Sequence, residues 1–386
     1  MKKIKVLQVI PKLGYGGAET GCYDLAHFLS EQKCKSYIAT SGGELLKFVK
    51  KDKVNIFRLP VHSKNPILVF FNIIMISLII LFYNINIVHA RSRAPAWPCL
   101  IATKLTRRKF VTTFHGTYNF NNKFKKFYNS VMVRAHLVIA GSNFIFSHIN
   151  ENYGNFFKNG KKKLLVIFRG INTNYFHSKK NSPLKLDKFC KQHKVDRNNF
   201  IILLPGRLTQ WKGQKIFIES IKLLSAKKGI QSFEAVILGS SQGRNVYQKQ
   251  LQDLVQQYRL TKIVKFIEHC DEMPIAYGIA NLVCSCSIEP EAFGRVSVEA
   301  QSMEIPIVAS DIGGSKETVI KDKTGFLFQS GKADILANTI FNVMQKDYNS
   351  LKSIGFEGRK NILKKFDVDK MCHTTFTEYK KLIELH

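Results

Sequence analysis

The chain has 386 residues, too many for one ordinary domain and enough for two. Apolar residues make up 45% and charged residues 23%, which excludes an intrinsically disordered chain and supplies material for two cores. Lys and Arg total 59 against 28 Asp and Glu, a net charge of +31, so the chain attracts polyanions: nucleic acid, an anionic membrane face or phosphorylated small molecules. Codon bias toward A and T offers a second source of the same excess, with the lysines spread over solvated faces.

Residues 1–10 read as a strand behind a few lysines, cut short by Pro11 and Gly14, a pattern unlike a signal peptide. The strand itself is expected over 4–10, and further strands over 36–40, 54–59, 87–90, 110–114, 137–140 and 164–168. Helical stretches such as 18–30 and 122–134 lie between them, and this alternation predicts parallel sheets with helices on both faces. Residues 67–82 are almost wholly apolar, yet short of the ~20 that a spanning helix needs, and Asn72 and Ser77 dilute them. A buried or interfacial helix is expected there.

The alternation fades over the polar, Lys-rich stretch 178–199, which reads as a connection between domains. It restarts with a strand over 200–205, a loop over 206–213 and a helix from Gln214. Strands follow at 233–238, 263–266, 282–285 and 306–309, and 334–386 reads as helices. The fold class is therefore α/β: two Rossmann-like, doubly wound parallel-sheet domains facing a cleft, with ligands at the carboxyl ends of the strands. The eight cysteines are scattered and form no C-x-x-C pair, Cys284 and Cys286 being nearest, which argues against zinc or a disulfide framework and for a reducing cytosol.

The richest stretch is Glu291-Ala-Phe-Gly-Arg-Val-Ser-Val-Glu299, which follows a strand and opens a helix. Gly294 lets a ligand approach the backbone at the helix start, where free N–H groups suit an anion such as a diphosphate. Glu291 precedes the helix and Glu299 lies more than a turn inside it, so the carboxylates can meet different parts of one extended ligand, such as hexose and ribose hydroxyls. A capped surface helix with incidental glutamates has the same spacing. A second stretch, Pro205-Gly206-Arg207-Leu208-Thr209-Gln210-Trp211-Lys212-Gly213, puts two cations at a strand-to-helix turn, as a diphosphate site needs and as an ordinary basic loop also does. The Gly-rich turn Gly14-Tyr15-Gly16-Gly17 resembles a relaxed dinucleotide loop without completing G-x-G-x-x-G. His115, in Thr113-Phe114-His115-Gly116-Thr117, ends a strand and suits either a sugar hydroxyl or phosphate contact or a structural role. Gly313-Gly314, in a further strand-to-helix turn, suits a nucleotide pocket, and Thr324-Gly325-Phe326-Leu327 reads as structural.

In the order and spacing of these stretches, with Arg169-Gly170-Ile171 and Glu317, the chain resembles the family-4 glycosyltransferases of the GT-B fold over nearly its whole length. The stretches His89–Trp97, Tyr128–Met132 and Pro290–Arg295 are similar to bacterial members that build lipopolysaccharide or capsular polysaccharide. The resemblance implies an acceptor-side domain over 1–180, a donor domain over 181–365 and a helix over 366–386 returning toward the first. It implies that Arg207 and Lys212 grip the donor diphosphate, Glu291 the donor sugar and Glu299 the ribose, within a donor site that includes Gly16, Gly17, Phe293, Gly294 and Arg295. It places His115 near the transferred sugar, with Arg207, Lys212, Glu291 and His115 as the catalytic set. It implies retention, no metal and no cofactor beyond a UDP- or GDP-sugar co-substrate. The implied partners are a lipid-linked or oligosaccharide acceptor and an anionic membrane surface, at the inner face of the cytoplasmic membrane, with no nucleic acid. Asn172 stands where many relatives carry Asp, and 67–82 is more apolar than the amphipathic helix usual in relatives. A nucleotide-sugar epimerase of the same fold is the alternative, separated by whether donor turnover needs an acceptor. A nucleic-acid binder lacks support, since no aromatic–basic platform or helix-turn-helix stands out.

Overall fold

The computed structural model describes residues 4–118, 122–160, 162–243 and 245–384; the ends of the 1–10 and 334–386 stretches lie outside the described residues. The chain divides into two compact units, one running to Gly170 and resuming at Val368, the other spanning Ile171–Asp367.

In the first unit seven strands form one sheet: β1 (Lys5–Val9), β2 (Lys35–Thr40), β3 (Val54–Arg58), β4 (Ile87–Ala90), β5 (Lys109–Phe114), β6 (Leu137–Ala140) and β7 (Lys163–Val166). Their order is β3-β2-β1-β4-β5-β6-β7, every pair parallel. The strands are short apolar runs because a parallel sheet is covered on both faces. The last helix, Val368–Glu384, buries Val368, Cys372, Phe376 and Tyr379 in one core cluster with Val6, Ile87, Val111 and Leu137. That spacing is one helical stripe, and it covers strand residues far upstream in the chain.

In the second unit six strands form the other sheet: β8 (Phe200–Pro205), β9 (Phe233–Leu238), β10 (Val264–Ile267), β11 (Leu282–Ser285), β12 (Ile307–Ser310) and β13 (Phe326–Phe328). The order is β10-β9-β8-β11-β12-β13, again all parallel. Twelve strands fall where the hydrophobic runs put them, and β13 is an addition, made by the stretch read as merely structural. The polar stretch 178–199 is not a bare connection: it holds the helix Pro183–His193, with the Ser182 hydroxyl accepting from Lys185 N and Pro183 at the first position.

The apolar stretch becomes the helix Pro66–Phe82, capped by the Asn65 side chain. Only Asn72, Ile76, Ile79 and Ile80 are buried, so the expectation of a buried helix fails along most of its length. Ile67, Phe70, Phe71, Ile74, Leu78, Leu81 and Phe82 are exposed. Among the described residues no helix is long and apolar enough to cross a membrane.

This division predicts two different mutational costs. Ile76, fully buried, loses about 2–5 kcal/mol on Ile76→Ala. Phe82, 82% exposed, changes stability by less than about 0.5 kcal/mol on Phe82→Ser. Urea unfolding midpoints of both variants check the pair.

Candidate functional site

The strand order reverses beside β8 in the second unit, so the chain leaves β8 and β11 toward opposite edges of the sheet and opens a crevice at their carboxyl ends. Both strongest stretches of the sequence emerge there. After β8 the chain passes Gly206 and Arg207 and makes a short turn over Gln210–Lys212 before the helix Gln214–Ser225. After β11 it runs through Ser287 and Glu291 to the helix Arg295–Ser302.

The two loops are laced together. Ile288 N donates to Trp211 O at 2.8 Å. Gly213 holds φ +74°, and a Cβ there would stand 1.9 Å from the Cys286 carbonyl oxygen, so glycine alone permits the approach. Across this junction Lys212 Nζ donates to Glu291 Oε1 at 2.7 Å, and Ser287 Oγ donates to the same oxygen at 2.5 Å. The side chains of the pair are 15% and 9% exposed, which shields it from solvent screening more than a surface pair. The Lys212 ammonium also lies 4.5 Å from the Trp211 ring centroid. The Glu291 carbonyl accepts from Gly314 N at 2.7 Å, so the Gly313-Gly314 turn supports the glutamate loop from behind.

Gly294 caps the next helix at φ +79°, a conformation that side-chain-bearing residues disfavour. Glu299 lies one turn inside and is 6% exposed. Tyr277 Oη donates to its Oε2 at 2.7 Å and Arg295 Nε to its Oε1 at 2.5 Å. Burial and the neighbouring carboxylate push the Tyr277 hydroxyl well above its ordinary range, which keeps it a donor. A carboxylate has about four acceptor positions, so Glu299 retains capacity for ligand hydroxyls. Phe293 is buried against Phe366, 5.7 Å between ring centroids, and holds the loop. Arg207 is exposed, and its side chain makes no hydrogen bond or ion pair within the described residues. Seven expected residues are thus in this unit: Arg207, Lys212, Glu291, Phe293, Gly294, Arg295 and Glu299. Ser287, Tyr277 and Trp211 join them. Ser287 lies four residues before Glu291, whereas nothing local in sequence marks Tyr277 for Glu299.

Gly16, Gly17 and His115 belong to the first unit. Gly16 caps the helix Gly17–Glu31. Gly17 and His115 line one small cavity of about 20 Å³ with His89, Arg91, Thr113 and Arg169. His89 is buried between Tyr379 Oη, 2.6 Å from Nδ1, and Thr113 Oγ1, 2.7 Å from Nε2. Arg91 donates to Gln8 Oε1 at 2.8 Å, and Gln8 in turn donates to Cys22 O at 3.0 Å. Sequence reasoning missed Gln8 and Arg91, which are 83 residues apart. Among the described residues no group of three or more His, Cys, Asp or Glu is placed to share a metal ion.

Two doubly wound parallel sheets, with a cation–carboxylate pair at the β8/β11 reversal, define an α/β protein of the double-Rossmann class. Residues 186–361 match the family model for glycosyl transferases group 1, and residues 15–175 that for glycosyltransferase family 4. A solved glycosyltransferase from Rickettsia africae is 35% identical, with 99% of each chain covered and a TM-score of 0.89. HepE from Anabaena, solved in complex with UDP, is 25% identical, with 98% of this chain and 100% of that chain covered and a TM-score of 0.78. The capsular polysaccharide biosynthesis glycosyltransferase CapM of Staphylococcus aureus is 28% identical over 176 residues, 46% of this chain and 44% of that protein. The chain spans about half the length of the curated relatives it matches first, 44% and 49%. The chain belongs to the family-4 glycosyltransferases of the GT-B fold.

His89, which is buried, and His115, whose ring nitrogens are enclosed, set a pH dependence of stability. Burial, with Arg91 nearby, holds His89 well below its ordinary 6.5, and burial with Arg169, Arg91 and His89 does the same to His115. The unfolded chain then binds protons that the folded chain refuses, so their contribution to stability is lost as pH falls below 6.5. Unfolding midpoints should drop from pH 7.5 to pH 5.5, and the drop should shrink in His115→Gln.

Proposed function

We propose that the chain transfers a sugar, with retention of anomeric configuration, from a nucleoside-diphosphate sugar to a lipid-linked or saccharide acceptor in bacterial surface polysaccharide assembly, lipopolysaccharide or capsule. The observation that carries this reading is the Lys212–Glu291 pair at the β8/β11 reversal, followed by Gly294 and Glu299 at the next helix start. The donor belongs to the Ile171–Asp367 unit. Its diphosphate takes Lys212 and the exposed Arg207, and its arrival releases Glu291 to the donor sugar hydroxyls. Glu299, held in one rotamer by Tyr277 and Arg295, takes the ribose hydroxyls. UDP is the favoured nucleotide, with the UDP complex of HepE as support, and CapM supports the polysaccharide context.

As the bond from the anomeric carbon to the diphosphate breaks, negative charge grows on the leaving oxygen. Arg207 and Lys212, once drawn to the diphosphate, stabilise that charge, which is the role a divalent metal has elsewhere. The acceptor hydroxyl attacks from the face the diphosphate leaves, and its proton departs with the nucleoside diphosphate. Arg207→Ala should lower turnover about 10²–10³-fold, roughly 3–4 kcal/mol. Its exposure keeps the unfolding midpoint unchanged, so stability separates the two effects. Lys212→Ala should lower turnover equally but also strand the Glu291 carboxylate with Ser287 alone, so its midpoint falls too. Calorimetry with UDP- and GDP-sugars is the direct check: one donor should bind wild type and fail to bind Lys212→Ala and Glu299→Ala. Absence of binding by folded wild type overturns the donor site.

We place the working enzyme at the inner face of the cytoplasmic membrane. The support is the exposed apolar face of the helix Pro66–Phe82 within a basic setting. No Asp or Glu occurs between Asp52 and Glu151, while Lys53, Arg58, Lys64, Arg91, Arg93, Lys104, Arg107, Arg108, Lys109, Lys123, Lys125, Lys126 and Arg134 do. Apolar burial and anionic attraction add at a lipid surface. Phosphatidylglycerol vesicles should sediment the chain, phosphatidylcholine vesicles much less, and a Phe70→Ser, Phe82→Ser double variant should lose most of the bound fraction. Equal binding of the variant overturns the placement.

A further inference from the structure

Phe127, on the short helix Lys123–Asn129, stands between two grooves of the first unit. The smaller, about 360 Å³, is lined by Pro66 and Val69 of the helix Pro66–Phe82, by Trp97 of the helix Arg93–Leu105 and by Tyr128; Lys64 is the one charged residue among its described lining. The larger, about 680 Å³, is lined by Lys126, Arg134 and Lys158 against one exposed carboxylate, Glu151. Both volumes fall in the range of small-molecule sites, about 300–1,000 Å³. One groove is apolar, the other is basic, and a single aromatic wall divides them. Trp97 Nε1 fixes that wall by donating to Tyr128 O at 3.1 Å, with the Trp97 and Phe127 ring centroids 5.6 Å apart.

Arg134 lies against the wall from the basic side. Its guanidinium is 5.3 Å from the Phe127 ring centroid, 5.5 Å from that of Phe156 and 5.8 Å from that of Trp97. Its Nε donates to Ser130 Oγ at 3.2 Å, and it makes no ion pair among the described residues. Aromatic faces hold the plane of a guanidinium while its edge keeps donors for a ligand, and that edge matches two phosphate oxygens at once. Lys162 adds to the charge there: its ammonium is 5.1 Å from the Phe156 centroid, and burial, then Arg134 and Lys104, hold it below its ordinary value. On the apolar side, Phe127 is 59% exposed, and the groove starts on the helix whose outer face carries the exposed Ile67 and Phe70. A chain leaving a bilayer under that helix meets the apolar groove first, and a phosphate at its end meets cations.

We propose that the first unit binds a lipid phosphate across Phe127, its apolar chain between Val69 and Trp97 and its phosphate on Arg134. The groove is distinct from the membrane-facing surface of the helix Pro66–Phe82, since Pro66 and Val69 line it while Phe70 and Phe82 do not. The inference rests on the transferase reading for the ligand's role alone: there the lipid phosphate is the anchor of the acceptor. Apolar burial of the chain and charge pairing at the phosphate are both required, because each groove offers only one of them.

Calorimetric titration of the full chain with farnesyl phosphate, below the concentration at which it forms micelles, is the test. Farnesyl phosphate should bind wild type at a single site, and at least tenfold more weakly to Phe127→Ser and to Arg134→Gln. Phe127 is exposed enough that Phe127→Ser should keep the wild-type unfolding midpoint, so this variant reads the groove apart from the fold. Farnesol and inorganic phosphate, each carrying half of the ligand, should bind at least tenfold more weakly than farnesyl phosphate. The Phe70→Ser, Phe82→Ser double variant and Lys212→Ala should bind it as wild type does. Absence of binding by wild type, unchanged affinity in Phe127→Ser, equal affinity for farnesol or inorganic phosphate, or loss of binding in the double variant or in Lys212→Ala overturns the site. A folded wild type that binds farnesyl phosphate but no nucleotide sugar sinks the transferase reading and leaves the groove standing.

Discussion

Parallel pairing with a reversal of strand order is the constraint on which the chemistry of both units depends. A parallel strand needs a crossover back to the start of the next, and the helix of that crossover covers one face of the sheet. Where consecutive crossovers run toward the same edge, each strand end is roofed by its neighbour's loop. Beside β1 and β8 they part, and polar groups at the strand ends are left facing a crevice. Gln8, Arg91 and His115 are at one, Lys212 and Glu291 at the other, and in each unit glycine lets the loop come close enough.

The two crevices meet the cost of buried charge differently. Lys212 and Glu291 neutralise each other, with a serine hydroxyl and a tryptophan face completing the environment. Such a pair is balanced without ligand, and an anionic group arriving at Lys212 would leave Glu291 free to accept from hydroxyls. Arg91 makes no ion pair among the described residues and donates instead to the neutral Gln8 oxygen, beside the helix Gly17–Glu31. Gln8, Thr113 and Tyr379 fix the surrounding groups through hydrogen bonds to neutral atoms. No Asp or Glu occurs between Asp52 and Glu151, a stretch that holds both Arg91 and the exposed apolar helix Pro66–Phe82, so one feature of composition bears on a buried residue and on a surface.

Much of the proposed donor region is legible in the residue order because its information is local. Lys212 follows Arg207 by five residues, and Glu299 follows Glu291 by eight, each across a strand-to-helix turn whose glycine marks a backbone that other residues resist. Partners brought in by packing leave no such mark. Tyr277 reaches Glu299 from a different helix, and Tyr379 reaches His89 across 290 residues. β13 is not legible because three residues are too few for an alternation to show. The helix Pro183–His193 is masked because its polarity resembles a linker, although Ser182 and Pro183 are ordinary helix-start residues.

The sequence by itself determined the two parallel sheets, since short apolar strands alternating with helical stretches bury both faces only in that arrangement. It also determined the glycine-dependent turns, because φ near +75° at Gly213 and Gly294 is a local property of the backbone. The tertiary structure alone decided that Lys212 pairs with Glu291, that Arg91 is buried against Gln8, and that most of the apolar helix remains exposed. Those outcomes depend on which distant atoms share a volume from which water is excluded, and residue order states that only after the sheets have closed.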